Sequence, residues 1–301
     1  GCFPQQRTLE RATSILLAAL LCCGRKWVTR MNCVRGREHV DWSGDYRLFS
    51  RSPWLAADLF VPVIGATIPY FGEGPIILAG DETRARRGGR KVKRSRWTRD
   101  PLSPPFHVNF IKGIRFMQFS ALLPLGQHNV DARGLPVSFE PVDRPPKPGK
   151  KATDEEKSEY KRLCKEQSLG KQAWQHLQAL RNKYDQAGAA DKLMIVGLDG
   201  GFCNRSCFRP THERIVLVAR TRKDAVLCRP ARDPGRVYSK ESFTPESVRH
   251  DEAIPWQTTP VFFGGQLRKV RYKAIGPVLW RTGARRKPLR LIVVAPVPYQ
   301  L

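Results

Sequence analysis

Acidic side chains are scarce in this chain. Asp and Glu together number 27 against 53 Lys plus Arg, a formal charge of +26. A surplus of that size requires a polyanionic partner if self-repulsion is to be offset. Nucleic acid fits best, because neutralising backbone phosphates releases counterions and supplies most non-specific affinity. An anionic membrane surface is the plainer rival. Long apolar runs are also missing, and no stretch approaches the roughly 20 apolar residues that cross a bilayer. The best candidate, Ala12 to Cys23, is too short and lacks the charge and cleavage pattern of a secretion signal. No Gly-rich P-loop points to ATP hydrolysis, no repeat of solenoid period is present, and no aromatic ribonucleoprotein signature supports an RNA-binding rival. Paired CxxC spacing is absent too. Cys203 and Cys207, with His212 nearby, have the wrong spacing for zinc, so the eight cysteines read as free or buried thiols in a reducing cytoplasm.

What is present suits a globular α/β protein. Hydrophobic residues make up 41% of 301, enough to bury a sizeable core. Leu9, Ala12, Ile15, Leu16, Ala19 and Leu20 recur at helical spacing and predict an amphipathic helix packed on a core. Ser52 and Pro53 predict a further helix start, with Trp54, Leu55, Leu59 and Phe60 as its apolar face. Residues 75–81, PIILAGD, read as a buried strand ending on Asp81, followed by a basic loop or hairpin that contains Gly88 and Gly89. Residues 106–125 read as two strands turning near Lys112 and Gly113. Thr153 followed by Glu156 has capping-box form and announces a helix to about Gln186, broken near Gly170. Residues 193–199, LMIVGLD, repeat the apolar run that ends on an aspartate, here Asp199. Strands are also expected within 214–220 and 289–296, and Gly264-Gly265 as a turn.

The two strand-end aspartates are the informative feature. A carboxylate at the end of a buried strand is costly unless its charge is compensated. Divalent metal ions supply that compensation, since Mg²⁺ favours one or two protein carboxylates together with waters and phosphate oxygens. The plain alternative is that both aspartates merely cap turns.

Several segments carry a resemblance over nearly the whole chain and in order. They are GCFPQQRTLERA, LAGDETRARRGGRKVKRSRWTRDP, VGLDGGFCNR, RIVLVARTRKDA, PWQTTPVFFGGQLRKVRYKAIGPVLWR and LRLIVVAPVPY. Together they resemble insertion-sequence transposases of the DDE type. The resemblance implies an RNase H-like mixed sheet flanked by helices, with an N-terminal helical layer over residues 1–70, a catalytic core over 71–250 and a β-rich insertion with the last strand over 251–301. It implies Asp81 and Asp199 as catalytic ligands of Mg²⁺ or Mn²⁺, double-stranded DNA as substrate, a homodimer on DNA, and a cytoplasmic, nucleoid-associated location in a prokaryote. The third carboxylate of such enzymes follows the strand at 289–296, so on this resemblance the chain is expected to stop short of it. Glu246, Asp251 and Glu252 precede that strand.

The expected DNA contacts are Arg84, Arg86, Arg87, Arg90, Lys91, Lys93, Arg94 and Arg96, with Arg99 in the same basic run, then Arg220, Arg222 and Lys223 beyond the IVLVA strand. Trp256 and Trp280 lie in the β-rich insertion, where the resemblance implies an aromatic stacked on a displaced base, with Trp256 the candidate; most tryptophans in such strands belong to the core. The predicted reaction is metal-dependent cleavage and strand transfer in cut-and-paste transposition. The alternative is an inactive remnant that only binds DNA.

Overall fold

The computed structural model describes residues 2–87, 89, 92–100, 102–104, 106–124, 132–263 and 266–296. Arg90, Lys91, Gly88, the expected turn at Gly264-Gly265 and the chain end at Leu301 lie outside the described residues. The chain divides into two compact units, residues 1–61 and 62–301.

The first unit holds α1 (Gln6–Leu21), α2 (Val28–Val34) and α3 (Ser43–Ser50). Ile15, Ala18, Cys22, Met31 and Leu48 form its core, with Phe3, Ala12, Ala19, Val28 and Trp54 packed around them. The expected stripe on α1 is only partly buried: Leu9, Leu16 and Leu20 are exposed. Two partner helices of seven and eight residues cover one ridge of α1 and leave the next open. Asp45 is buried between Arg11 and Arg35, each 3.3 Å away. The expected helix start at Ser52-Pro53 does not form. Trp54 donates its indole N–H to the Leu48 carbonyl at 2.8 Å and lies 5.6 Å from the Phe3 ring. Those contacts anchor a non-helical segment, and helical structure resumes only with a 3₁₀ turn at Ala56–Leu59 and α4 (Phe60–Thr67).

The second unit contains two sheets. In the first, β1 (Ile76–Arg86) lies between β3 (Phe110–Pro124), antiparallel, and β5 (Met194–Leu198), parallel; β6 (Ile215–Ala219) extends the parallel side. On the far edge of β3, β2 (Arg96–Arg99) pairs with residues 110–113 and β4 (Ala132–Pro141) with residues 116–124. The order β4-β3-β1-β5-β6, with β5 and β6 parallel to β1, is RNase H-like, as expected. Between β4 and β5 run α5 (Asp154–Glu166) and α6 (Leu169–Tyr184). The Thr153/Glu156 capping box forms as predicted, and the helical run breaks at Gln167-Ser168, close to the expected Gly170.

One face of this sheet is dry. Ile76, Leu78, Met117, Phe119, Ala121, Met194, Val196 and Leu198 are buried, and α6 buries Ala173, Trp174, Leu177, Leu180 and Tyr184. His176 of α6 approaches Glu140 of β4 at 3.7 Å, and Glu140 is register partner of Met117, so α6 lies on that dry face. Each large side chain buried there contributes about 1.5–3 kcal/mol. Arg181 of α6 is fully buried. It donates to the Lys192 and Ala189 carbonyls and pairs with Asp185, which also receives Arg214 at 2.9 Å. These bonds tie the end of α6 to the segment entering β5.

Two strand expectations need correction. β1 does not end at Asp81; it continues to Arg86, because β3 is long enough to pair with it to the end. Residues 110–124 form one strand rather than a hairpin turning at Gly113. A Cβ at Gly113 would stand 2.5 Å from the Ala85 carbonyl oxygen, so this glycine permits close strand approach rather than a turn.

After β6 and the short α7 (Arg205–Phe208), which precedes it, the chain builds the second sheet, in the order β11-β10-β7-β8 with β9 paired to β10. Its strands are β7 (Leu227–Pro230), β8 (Tyr238–Phe243), β9 (Gln257–Phe263), β10 (Gln266–Leu279) and β11 (Pro288–Pro296), and α8 (Pro245–His250) lies between β8 and β9. Leu227, Val248, Ile275, Val278 and Leu291 form its core. This β-rich part therefore draws on strands from Leu227 onward as well as those beyond residue 251.

Candidate active site

Parallel pairing of β1 and β5 ends at Gly80 opposite Leu198. Asp81 and Asp199 are the next residue on each strand. Side chains alternate across a strand, so both aspartates project from the face opposite Leu78, Gly80, Val196 and Leu198. Gly80 makes this register possible, since a Cβ there would stand 2.5 Å from the Phe119 ring and 2.7 Å from Leu198.

Both aspartates are exposed rather than buried as a strand end would suggest. Asp81 accepts the Glu82 amide on Oδ1 at 2.7 Å, and Asp199 accepts the Gly200 amide on Oδ1 at 2.5 Å. Partial desolvation raises the Asp81 carboxyl above its ordinary range, and the Asp199 charge raises it further. The two carboxylates therefore repel each other. Two adjacent carboxylates that use one oxygen each on a local amide are a donor set that suits a hard divalent cation completed by water and phosphate oxygens.

Arg220 follows β6, the strand beside β5. A Cβ at Gly200 would lie 3.1 Å from the Arg220 carbonyl and 3.7 Å from its Nε, so Arg220 sits beside the residue after Asp199. On the other side of Asp81, its register partner on β3 is Gln118, which donates to Ser120 Oγ at 3.0 Å. The sequence reading missed Gln118. The alternation in Met117-Gln118-Phe119-Ser120 marks it, provided that segment is read as one strand. Arg222 is engaged by Asp224 at 2.6 Å, and Lys223 is exposed at the same strand end.

The basic run goes elsewhere. Arg84 is three residues beyond Asp81 on a regular strand and points to the opposite face. It is in register with Arg115 there, and Glu82 pairs with both. Arg96 and Arg86 are both register partners of Gly113 and share that face. Arg86 pairs with Asp100 at 3.1 Å and Arg94 with Asp143 at 2.6 Å, while Arg87, Lys93 and Arg99 are exposed. The predicted site residues thus separate into an aspartate pair with Arg220 on one face and an arginine group on the other.

The remaining candidates lie away from the aspartates in the fold. Trp256 precedes β9 in the second sheet, with Arg271 4.5 Å and Lys273 4.8 Å from its ring. Lys273 is buried and donates to the carbonyls of Val248, Arg249 and Asp251. Glu246 is held by Arg249 and His250, and Asp251 accepts the Ala253 amide. Burial pushes the Cys207 thiol up to about 11, with Cys203 adding to the shift, and His212 Nδ1 accepts the Arg214 amide. All eight cysteines are free, and no group of three His, Cys, Asp or Glu able to hold a metal occurs among the described residues.

Over residues 1–287 the chain matches the family described as DDE superfamily endonuclease. It belongs to that family. Neither a curated protein nor a solved structure matches it. Membership in the DDE superfamily makes DNA the substrate class and is consistent with the RNase H-like sheet and with divalent-metal dependence. Among the described residues, no helix is long and apolar enough to cross a membrane.

Proposed function

We propose that this chain is a transposase that cleaves DNA and transfers strands in cut-and-paste transposition, with Asp81 and Asp199 as its metal ligands. The observation that carries this reading is their placement one residue past the Gly80–Leu198 register on adjacent parallel strands. Mg²⁺ or Mn²⁺, when bound there, supplies Lewis-acid activation of a water or 3′-hydroxyl and neutralises charge on the leaving oxygen. Asp81 and Asp199 hold the cation, and their mutual repulsion in its absence favours uptake. Arg220, beside Gly200, would offer its guanidinium to a scissile-strand phosphate. Arg222 and Lys223 lie beside it, and Trp256 in the second sheet would act on a displaced base.

In this reading residues 1–70 form a helical region suited to DNA contact, 71–250 the catalytic core, and 251–301 the β-rich part that β7 and β8 join. The partners are duplex DNA, as transposon ends and target, and a second copy of the chain, in the nucleoid of a prokaryotic cell.

A second reading has its own observation: among the described residues no third carboxylate joins the pair. It makes the chain a DNA-binding protein without catalysis. Incubating purified protein with duplex DNA and Mg²⁺ separates the two. Metal-dependent nicking that is lost in Asp81→Asn and Asp199→Asn supports the transposase reading; intact DNA beside tight binding supports the other.

A further inference from the structure

On the sheet face opposite Asp81, a cavity of about 260 Å³ opens between β1, β2, β3 and the start of α6. Five arginines line it, Arg84, Arg94, Arg96, Arg115 and Arg144, against a single carboxylate, Asp143. Glu82 engages Arg84 and Arg115, and Asp143 is taken by Arg94. That leaves a clear cationic excess in one concavity.

Three polar atoms in its walls are buried without a hydrogen-bond partner: Arg84 Nε, Arg115 Nε and Ser168 Oγ. An orphaned buried donor costs about 1–3 kcal/mol, and around this opening the protein's own acceptors leave these three groups unmatched. Ser168 is the N-cap of the 16-residue α6 yet makes no capping bond with its side chain. The free amides and positive dipole end of that helix add to the same cavity. Arg94 reaches it from a left-handed backbone with φ of 64°. A non-glycine residue there is strained by about 1–3 kcal/mol, as is common at binding sites. Burial, and to a lesser extent the nearby Arg144 charge, push the Arg115 guanidinium down from its ordinary value.

We propose that this cavity is a phosphate-binding site, separate from the aspartate pair and on the other face of the same sheet. Its ligand is a phosphate group, supplied either by a DNA backbone or by a free phosphate species. The volume admits a phosphate with several waters at about 30 Å³ each. The forked donors of arginine match phosphate oxygens better than lysine would. With a backbone phosphate as ligand, this site holds a stretch of DNA away from the position of cleavage. Arg115, Arg144 and Ser168 then become binding residues that no motif in the sequence marks.

The test uses the full chain without divalent metal, so failure of the catalytic reading does not affect it. Binding of a short fluorescent duplex is followed across a salt series for the wild type, Arg115→Gln, Arg144→Gln and Ser168→Ala. Arg144 is exposed and Ser168 has no side-chain partner, so these two variants keep the fold even if Arg115→Gln does not. In parallel, inorganic phosphate is titrated at constant ionic strength and melting temperature is read. A backbone ligand predicts about tenfold weaker binding in Arg144→Gln and a log–log salt slope shallower by about 0.9, one phosphate's share. Unchanged duplex binding, with phosphate raising the melting temperature of wild type but not of Arg144→Gln or Ser168→Ala, assigns the site to a free phosphate species. Unchanged duplex binding with no phosphate-dependent shift overturns the proposal.

Discussion

Asp81 and Asp199 stand side by side because two glycine-containing apolar strands end their parallel pairing at the same level. Leu78-Ala79-Gly80 matches Val196-Gly197-Leu198 residue for residue, and the next position on each strand is an aspartate. Local sequence therefore places a like-charged pair where β1 parts from β5.

That repulsion has a pH signature. The Asp81 carboxyl is raised by desolvation and by Asp199, so its protonated form is favoured by folding. The associated stability is full below the ordinary carboxylate range and is lost as pH rises through the raised folded value. Asp81→Asn is expected to melt higher than wild type at neutral pH without metal, and the gap should close in acid. Thermal melts across pH check the sign.

Asp185 behaves oppositely. Burial alone would raise its carboxyl, but hydrogen bonds and charge from Arg214 and Arg181 outweigh that and hold it below the ordinary value. Its contribution is present above the ordinary range and disappears as pH falls through the lowered folded value. Asp185→Ala strands the buried Arg181 charge and is expected to cost about 3–5 kcal/mol. Urea melts at neutral pH measure that loss, and it should shrink in acid.

Gly113→Ala tests the close approach of β1 and β3. The new Cβ meets the Ala85 carbonyl at 2.5 Å, and backbone yields less readily than a side chain. A loss of about 1–3 kcal/mol is expected, together with weaker amide protection over Ala85 and Arg86 in hydrogen exchange.

In the N-terminal unit, Leu48→Ala opens a void beside Ile15 and Met31. The expected cost is about 2–5 kcal/mol. Denaturant unfolding of residues 1–61, followed by Trp54 fluorescence within the full chain, reads this loss.

Much of this architecture is legible in the sequence. Apolar runs mark β1, β5, β6 and β11, and Thr153 with Glu156 marks the start of α5. The ends are less legible, because pairing rather than composition sets them. Glu82-Thr83-Arg84-Ala85-Arg86 looks like loop until β3 supplies partners that pair Arg84 and Arg115 through Glu82. Reading that stretch as loop also hides its alternation, and with it the fact that Asp81 and Arg84 face opposite ways. Gly113 resembles a turn because sequence does not distinguish a glycine that bends the chain from one that admits a neighbouring backbone. Ser52-Pro53 carries the local signature of a helix start, yet Trp54, bonded to Leu48 and packed on the distant Phe3, lies in a non-helical segment.

Direct binding tests, independently of turnover, whether Asp81 and Asp199 share a divalent cation. Mn²⁺ titration of the full chain, followed by the loss of the free-ion electron paramagnetic resonance signal, should show a site that is lost in Asp81→Asn and in Asp199→Asn. At ten times the dissociation constant the ion should stabilise wild type by about 1.4 kcal/mol and leave both variants unchanged. Equal Mn²⁺ uptake by wild type and both variants would show that the aspartate pair does not hold the ion.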